Sequence, residues 1–255
     1  MLGESLLGYS RIALALNASE EIRPEDLLKF NDALERLKNE EPIQYIIGVT
    51  EFYGLPFKVS PETLIPRPET EELVEWIIRQ NKEQADILDI GTGSGCIAIT
   101  LAKNLKESVV SALDVSVEAL KVAAYNAQHN KVSIDFITKD ILAIDKLPSQ
   151  YDIIVSNPPY VRNLEKKTMS DNVLQFEPSA ALFVPDDDPL KFYRKISSLA
   201  KTHLKEGGSL FFEINEYLGE ELVALLKNFD FKNIELGQDF RGKDRFIKCT
   251  RSLNE

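Results

Sequence analysis

The feature that most constrains the fold is a regular alternation of strand-like and helix-like segments that begins at Asp86. Short apolar runs predict strands, and segments with a helical period predict the helices between them. Such alternation implies right-handed βαβ units and a parallel sheet that is covered on both faces. The predicted strands are Ile87–Ile90, Val109–Asp114, Ile134–Asp140 and Tyr151–Asn157, and the predicted helices are Cys96–Asn104 and Val117–His129.

The C-terminal part of the chain extends this sheet to seven strands. An irregular stretch from Val161 to Asp188 separates it from the first four strands. A short polar turn around Gly242 divides the last two strands, which fits antiparallel neighbours. The sequence therefore predicts an α/β fold with a Rossmann-like, seven-stranded, doubly wound sheet. The further elements are helices over about 189–205 and 218–228, and strands at Ser209–Ile214, about 233–239 and about 245–250.

The residues before Asp86 predict a different organisation. Apolar residues at helical spacing fit two short helices in residues 1–41, and aromatic and β-branched residues around Gly54 predict a small hairpin. Prolines on both sides of Arg67 favour extended backbone, and acids from Glu69 onward mark the first turn of a helix. We expect a helical N-terminal domain over 1–48, a hairpin linker over 49–68 and a sheet domain over 69–255.

The net charge limits the classes of molecule that the protein is expected to bind. The net charge is −11, and acids outnumber bases 16 to 9 in residues 1–84. Affinity for nucleic acid that comes from phosphate contacts requires a basic face, so we expect no direct nucleic-acid binding. The charge is compatible with a basic protein partner that is attracted over long range.

The sequence also bears on location. The longest uncharged run, Ile90–Ala102, has 13 residues, whereas a membrane-spanning helix needs about 20 apolar residues. The N-terminus lacks the basic and apolar regions of a secretory signal, and Cys96 and Cys249 are too few for a disulfide framework. We therefore expect a cytoplasmic protein without a membrane partner.

A glycine-rich loop joins the first predicted strand to the first predicted helix. Glycine permits a sharp turn and a close approach of ligand to backbone, and the helix N-terminus presents free N–H groups. Because Cys96 only partly matches the dinucleotide fingerprint, the loop alone does not separate NAD from another adenosine ligand, or from a tight turn without a ligand. The loop is Asp89-Ile90-Gly91-Thr92-Gly93-Ser94-Gly95.

Acidic residues end the next two predicted strands. Asp114 can accept hydrogen bonds from both ribose hydroxyls of an adenosine ligand, although a strand-end aspartate can equally cap the next helix. Asp140 and the backbone of Ile141 can meet the adenine edge, with the same structural alternative.

The most specific feature is the tetrapeptide Asn157-Pro158-Pro159-Tyr160 at the end of the fourth predicted strand. In an open α/β sheet the ligand crevice lies beyond the carboxyl ends of the strands, so this tetrapeptide falls beside the glycine loop. The two prolines remove two donors, which leaves the Pro158 carbonyl and the Asn157 side-chain oxygen as acceptors for a planar NH₂ group. Tyr160 can stack on that group, whereas a simple Pro-Pro turn explains neither Asn157 nor Tyr160.

Together the glycine loop and this tetrapeptide resemble the amino-methyltransferases that use S-adenosylmethionine. Three further segments make the chain similar to the release-factor glutamine methyltransferases, the PrmC/HemK family, over roughly residues 5–250. The resemblance implies methyl transfer to the side-chain nitrogen (N5) of the glutamine in the Gly-Gly-Gln motif of peptide chain release factors, which modulates translation termination. The segments are Pro42–Gly48, Leu64–Glu71 and Phe176–Pro178.

The resemblance also implies roles for residues. The loop from Gly91 to Gly95 would hold the methionine part of the cofactor, with S-adenosylhomocysteine as product, Asp114 its ribose, and Asp140 with Ile141 its adenine. A set of four residues would bind the substrate glutamine, Arg67 would line the pocket and Glu177 would support the substrate side. The four are Asn157, Pro158, Pro159 and Tyr160, and Asn157 would also touch the cofactor.

The sequence departs from this family at two points. Only 41 residues precede Pro42, so the N-terminal domain is shortened, although it is the part expected to contact the release factor. Asn215 replaces the glycine expected two residues after Glu213, and we expect this to alter a turn near the substrate. We expect a monomer.

Other reactive residues fit structural roles. We expect His129 and His203 at the surface, Cys96 as a small packing residue, and Asp186–Asp188 as a solvated loop before a helix, with no metal site. The alternative functions are methylation of an exocyclic amine of a nucleic-acid base, a nicotinamide-dependent oxidoreductase, and a nonenzymatic module that binds an adenosine ligand or a partner protein. The oxidoreductase leaves Asn157–Tyr160 unexplained.

Overall fold

The computed structural model describes residues 2–80 and 84–252, so Met1, 81–83 and 253–255 of the predicted domains lie outside the described residues. No helix of the described ranges is both long and apolar enough to cross a membrane. The helices are α1 Leu2–Leu7, α2 Arg11–Leu16, α3 Pro24–Lys38, α4 Ile43–Ile47, α5 Pro68–Gln80, α6 Cys96–Asn104, α7 Val117–His129, α8 Asp171–Phe176, α9 Ser179–Leu182, α10 Lys191–His203 and α11 Gly219–Asn228. The strands are β1 Val49–Phe52, β2 Leu55–Lys58, β3 Asp86–Ile90, β4 Val109–Asp114, β5 Asp135–Thr138, β6 Tyr151–Ser156, β7 Val161–Arg162, β8 Phe183–Val184, β9 Leu204–Glu213, β10 Lys232–Gln238 and β11 Asp244–Thr250.

Seven strands form one sheet in the order β10-β11-β9-β6-β3-β4-β5. The pairs from β5 to β9 are parallel, whereas β11 runs antiparallel to both β9 and β10. The predicted α/β class, the seven strands and the antiparallel final pair are confirmed. Because β3, β4, β6 and β9 are parallel, their carboxyl ends share one edge of the sheet, and the loops at that edge form the candidate site.

Two strand boundaries differ from the predictions by more than one residue. The third strand ends at Thr138 rather than Asp140, because the Asp140 side chain accepts a hydrogen bond from the Leu142 N–H at 2.9 Å and starts a turn. β9 begins at Leu204, before the predicted Ser209, because a register shift against β6 accommodates the extra residues.

The sheet carries an apolar core on each face. On one face β-strand residues pack with α10 and α11, around buried Tyr193, Ile196 and Leu222. On the other face they pack with α5 and α6, and this core also includes Phe52 and Phe57 of the hairpin. Full burial of a phenylalanine side chain contributes roughly 1.5–3 kcal/mol, so the hairpin is held on the sheet domain.

The hairpin of β1 and β2 is also tied to α7 by asparagine side chains. The Asn126 side chain accepts from the Lys58 N–H at 2.7 Å and donates to the Lys58 carbonyl at 2.9 Å. Its amide also donates to the Ser94 carbonyl of the glycine loop at 2.9 Å. Asn130 adds a bond to the Pro56 carbonyl at 2.9 Å. The predicted hairpin is therefore confirmed, and it is connected to the candidate site.

The prediction of two helices in residues 1–41 is wrong, because three lie there. Gly8, with a φ of 68°, follows α1, and the Ser10 side chain caps α2 by accepting from the Ala13 N–H. Together they break an apolar pattern that fits one helix. α3 begins at Pro24 as expected. Several large apolar side chains of this part are exposed: Ile12, Leu16, Leu27, Leu28 and Leu34.

The stretch from Val161 to Asp188, predicted as irregular, contains short elements. β7 and β8 pair in parallel, and a 3₁₀ helix, Asn163–Thr168, follows β7. α8 and α9 lie between the two strands. None of these elements exceeds six residues, which is too short for a period to be detected from sequence.

Candidate active site

The glycine loop lies between β3 and α6, at the carboxyl edge of the sheet. Gly93 and Gly95 have φ angles of 54° and 82°, a region that non-glycine residues adopt at a cost. A side chain at Gly95 would also meet Ile99 at 2.9 Å and Ala123 at 3.1 Å. The loop is therefore built for glycine, as the sequence predicted.

Asp89, in β3, is fully buried beneath this loop. One carboxylate oxygen, Oδ2, accepts from the Thr92 hydroxyl at 2.6 Å and from the Ala98 N–H at 3.3 Å. The other, Oδ1, is buried and has no partner among the described residues. Burial, with a smaller contribution from the negative charge of Asp114, raises the pKa of Asp89 to about 7. The Asp114 charge disfavours ionisation of Asp89, and a cationic ligand at this position would offset that repulsion.

Asp114, at the end of β4, is half-buried beside the same loop. Its Oδ2 accepts from the Gly93 N–H at 2.8 Å, and its Oδ1 accepts from the Ser116 N–H at 2.9 Å. Each carboxylate oxygen has a second lone pair, so both can still accept from a diol. The Ser116 side chain, rather than Asp114, caps α7 by accepting from the Ala119 N–H.

Asp140 and Ile141 lie in the loop after β5, on the other side of β4 from the glycine loop's strand. The Asp140 side chain is exposed, and the Ile141 side chain is buried in the α10–α11 core. The Oδ1 atom of Asp140 takes part in the turn, and its second carboxylate oxygen has no hydrogen bond within the part of the chain that the structure describes.

The tetrapeptide Asn157–Tyr160 follows β6, next to β3. The Ser156 hydroxyl donates to the Ile90 carbonyl at 2.6 Å, which ties the end of β6 to the residue before Gly91. Pro158 is buried, and its carbonyl accepts no hydrogen bond from the part of the chain that the structure describes. The structure therefore brings the tetrapeptide and the glycine loop together.

A buried glutamate connects Asn157 and Tyr160. Glu213, at the end of β9, accepts from the Thr70 hydroxyl at 2.6 Å and from the Tyr160 hydroxyl at 3.0 Å. The Asn157 Nδ2 atom lies 3.5 Å from the Thr70 Oγ1 atom. Burial raises the pKa of Glu213, while these two hydroxyls and the Arg245 charge oppose the shift. Burial and the Glu213 charge also raise the pKa of Tyr160, so its hydroxyl stays protonated.

Arg67 and Glu177 form an ion pair with each other. The Arg67 Nη2 atom lies 2.6 Å from the Glu177 carboxylate, whose second oxygen accepts from the Ile65 N–H at 3.2 Å. The Glu177 side chain is 2% exposed and that of Arg67 is 31% exposed. The pair joins the segment before α5 to the residue after α8. The sequence singled out both residues without predicting their contact.

Asn215 makes a bridge that a glycine lacks. Its side-chain amide donates to the Tyr160 carbonyl at 3.1 Å and to both Glu165 carboxylate oxygens at 3.1 Å, and its oxygen accepts from the Tyr217 N–H. Asn215 therefore holds the backbone of Tyr160 in place, which a glycine at this position could not do with a side chain.

Sequence reasoning missed Thr70 as a site residue and recognised Glu213 only by its place at a strand end. Thr70 stands in the acidic first turn of α5, where a threonine carries no signal of its own. Their contact joins residues that are 143 positions apart.

The remaining reactive residues fit structural roles, with one correction. Cys96 is buried, and burial raises the pKa of its thiol to about 12, so it packs rather than reacts. His129 is exposed and stacks on Tyr125. His203, expected at the surface, is partly buried and accepts from the Leu147 N–H at 3.2 Å. The described residues contain no cluster that could hold a metal ion.

Comparisons with known proteins agree with this architecture. Residues 69–180 match the family model described as methyltransferase small domain, and residues 1–48 match the PrmC N-terminal domain. A methyltransferase of known crystal structure from Pyrococcus furiosus aligns with a TM-score of 0.60 at 17% identity, over 87% of this chain and 99% of that chain. At this identity the likeness shows the fold alone.

Two curated relatives are much closer in sequence. The release factor glutamine methyltransferase of Flavobacterium psychrophilum is 55% identical over 250 residues, which cover 96% of this chain and 88% of that protein. The protein of the same description from Bacteroides thetaiotaomicron is 48% identical over 217 residues, 85% of this chain and 78% of that protein. The resemblance that the glycine loop and Asn157–Tyr160 indicated is confirmed: the chain belongs to the release factor glutamine methyltransferase family.

Proposed function

We propose that this protein transfers a methyl group from S-adenosylmethionine to the side-chain amide nitrogen, N5, of the glutamine in the Gly-Gly-Gln motif of peptide chain release factors. The observation that carries the proposal is that Asn157 and Pro158 lie beside the glycine loop that follows β3. These two residues form an acceptor pair for a planar NH₂ group. The sequence relatives named above are the second support.

The residues of the loop region fit S-adenosylmethionine. Its ammonium and sulfonium groups are cationic, and the buried Asp89, near the Asp114 charge, retains an oxygen without a partner among the described residues. The glycine loop Gly91–Gly95 would hold the methionine part, with Thr92 and Ser94 in its backbone turn. Asp114 would bind the ribose, and Asp140 with Ile141 the adenine.

When bound, this cofactor supplies a methyl group that its sulfonium already activates. The protein's part is to orient the acceptor nitrogen, whose lone pair is delocalised in the amide. The Asn157 Oδ1 atom and the Pro158 carbonyl would each accept one N–H, which directs the nitrogen and stabilises the positive charge that develops on it. No nearby base is required before transfer, because the amide proton can leave afterwards.

Further residues would contact the substrate side. Pro159 fixes the backbone of the tetrapeptide, and Tyr160 would stack on the substrate amide. Arg67 would line the pocket, with Glu177 holding it through the ion pair. The domain division remains part of the proposal, with the helical N-terminal region of 1–48 contacting the release factor, 49–68 as linker and 69–255 as catalytic domain.

The same proposal includes the partner, the location and the oligomeric state of the enzyme. The partner would be a release factor in the cytoplasm, and the enzyme would act as a monomer without binding nucleic acid directly. The acidic front of the chain, with 16 acids and 9 bases in residues 1–84, supports a protein partner over a nucleic acid.

The test is transfer of label from S-adenosylmethionine to a purified release factor, beside the same factor with its Gly-Gly-Gln glutamine changed to alanine. We expect label on the first factor and none on the second. Label on both would place the acceptor elsewhere. Label on neither, with cofactor binding intact, would favour a nucleic-acid amine or the nonenzymatic alternative.

A further inference from the structure

The buried Glu213 carboxylate determines the direction in which the Thr70 hydroxyl donates its hydrogen bond. Glu213 is 1% exposed and Thr70 is 2% exposed, so both side chains are shielded from bulk solvent. Their oxygen atoms lie 2.6 Å apart, the distance of a strong hydrogen bond to a charged acceptor. A carboxylate can only accept, so the single proton of the Thr70 hydroxyl points toward Glu213.

Because the Thr70 hydroxyl donates its hydrogen bond to Glu213, it can act only as an acceptor toward Asn157. With its proton committed, the Thr70 Oγ1 atom can only accept from any further neighbour. The neighbour is the Asn157 side-chain amide, whose Nδ2 atom lies 3.5 Å away. An acceptor there selects the NH₂ end of the amide, because the oxygen end would place two acceptors against each other.

Glu213 keeps its other oxygen for the second side chain of the tetrapeptide. The Tyr160 hydroxyl donates to it at 3.0 Å, and the Tyr193 hydroxyl donates to the Glu213 backbone carbonyl at 3.1 Å. Thr70 and Tyr160 both favour the ionised form of Glu213, as does the charge of Arg245, whereas burial and the charge of Glu69 oppose it. One carboxylate therefore organises both polar side chains of the tetrapeptide.

We propose that Thr70 and Glu213 are positioning residues, which hold the Asn157 amide with Nδ2 toward Thr70 and leave Oδ1 as the acceptor for the substrate nitrogen. The inference rests on the proposed amide methylation. It identifies the two side chains that orient Asn157, whose Oδ1 atom accepts from the substrate amide. With the amide reversed, Asn157 would offer two donors to a substrate group that is itself a donor. Thr70 touches neither substrate nor cofactor in this scheme.

The experiment compares Thr70→Val, which keeps the shape and removes the hydroxyl, with Thr70→Ser, which keeps the hydroxyl. We expect Thr70→Val to lower kcat for release-factor methylation between about 10-fold and about 100-fold, with little change in the cofactor Kd, and Thr70→Ser to recover most of the rate. An equal loss in both variants, or a Thr70→Val loss that appears in the cofactor Kd rather than in kcat, would overturn the proposal.

Thr100→Val is the matched control. Thr100, in α6, is also fully buried, and its hydroxyl has no partner among the described residues. Its removal should leave kcat and the melting temperature near those of the wild type. A kcat loss at Thr100 as large as that at Thr70 would mean that any buried threonine has this effect, and would count against positioning.

A second measurement does not depend on turnover. The side-chain amide resonances of Asn157, followed by ¹⁵N NMR, should show protection from solvent exchange in the wild type and in Thr70→Ser, and loss of protection in Thr70→Val. Unchanged protection in Thr70→Val would overturn the proposal. If the wild type methylates no release factor, the proposed function fails, while this measurement still decides the role of Thr70.

Discussion

At the scale of single residues, Asp89 makes the stability of the protein depend on pH. Its pKa is raised to about 7 by burial, above the ordinary value near 3.8. An acid with a raised folded-state pKa contributes stability below its unfolded pKa, and that contribution is lost as the pH rises through the folded value. The loss between about pH 4 and about pH 8 is on the order of 4 kcal/mol.

The measurement is the free energy of unfolding of the wild type and of Asp89→Asn, by urea titration at several pH values. Asparagine does not ionise, so its variant should lack this pH-dependent loss, and the stability of the wild type relative to the variant should fall between about pH 4 and about pH 8. Two curves that stay parallel across this range would show that Asp89 does not titrate there.

The residue scale also shows how much of the site was predictable. The glycine loop and the tetrapeptide were evident because each is a compact motif whose residue types imply a geometry. The contacts of Arg67 with Glu177 and of Thr70 with Glu213 join positions 110 and 143 residues apart. Such pairing depends on how α5 and the segment before it pack against the sheet domain, which no local pattern encodes.

At the scale of elements, the hairpin is coupled to the glycine loop through one side chain. Asn126 makes two hydrogen bonds to the Lys58 backbone and one to the Ser94 carbonyl, and it is buried. At about 1 kcal/mol each, and with partners left unsatisfied, Asn126→Ala should destabilise the protein by about 3 kcal/mol. It should also weaken cofactor binding, because the loop loses its anchor.

The comparison uses urea unfolding and the cofactor Kd, with Asn104→Ala as control. Asn104 is an exposed residue at the end of α6, and its side-chain amide donates to the Thr100 carbonyl. We expect its substitution to change stability by no more than about 0.5 kcal/mol. Equal effects of the two substitutions would argue against the coupling.

Elements were predictable where their pattern was long enough. α6, β4 and α7 have the predicted bounds, because an apolar or amphipathic pattern ran over at least six residues in each. The short helices before Pro24 and the elements between Val161 and Asp188 were missed or merged. In such segments a single glycine or capping serine decides where a helix ends or begins, and apolar periodicity does not detect these residues.

At the scale of the whole molecule, the N-terminal helices present apolar side chains to solvent. Leu16 of α2 is 80% exposed and Leu28 of α3 is 71% exposed. If this region binds the release factor as proposed, Leu16→Ser with Leu28→Ser should raise the KM for the factor roughly tenfold and leave the cofactor Kd unchanged.

The control for that measurement is Val109→Ser. Val109 is 57% exposed at the start of β4, on the edge of the sheet opposite the site. It should leave the KM for the release factor as in the wild type. A double leucine variant with an unchanged KM would move the partner surface away from the helices.

The central claim is that Asn157 orients the acceptor nitrogen while Asp114 binds the cofactor, and a pair of variants tests it most directly. The measurement is the single-turnover rate of methyl transfer to a release factor together with the Kd for S-adenosylmethionine. Asn157→Ala should lower the rate by about 10²–10³-fold, a much larger loss than its loss of cofactor affinity. Asp114→Ala should mainly raise the Kd. Equal losses of rate and affinity in Asn157→Ala, or an unchanged Kd in Asp114→Ala, would contradict the account.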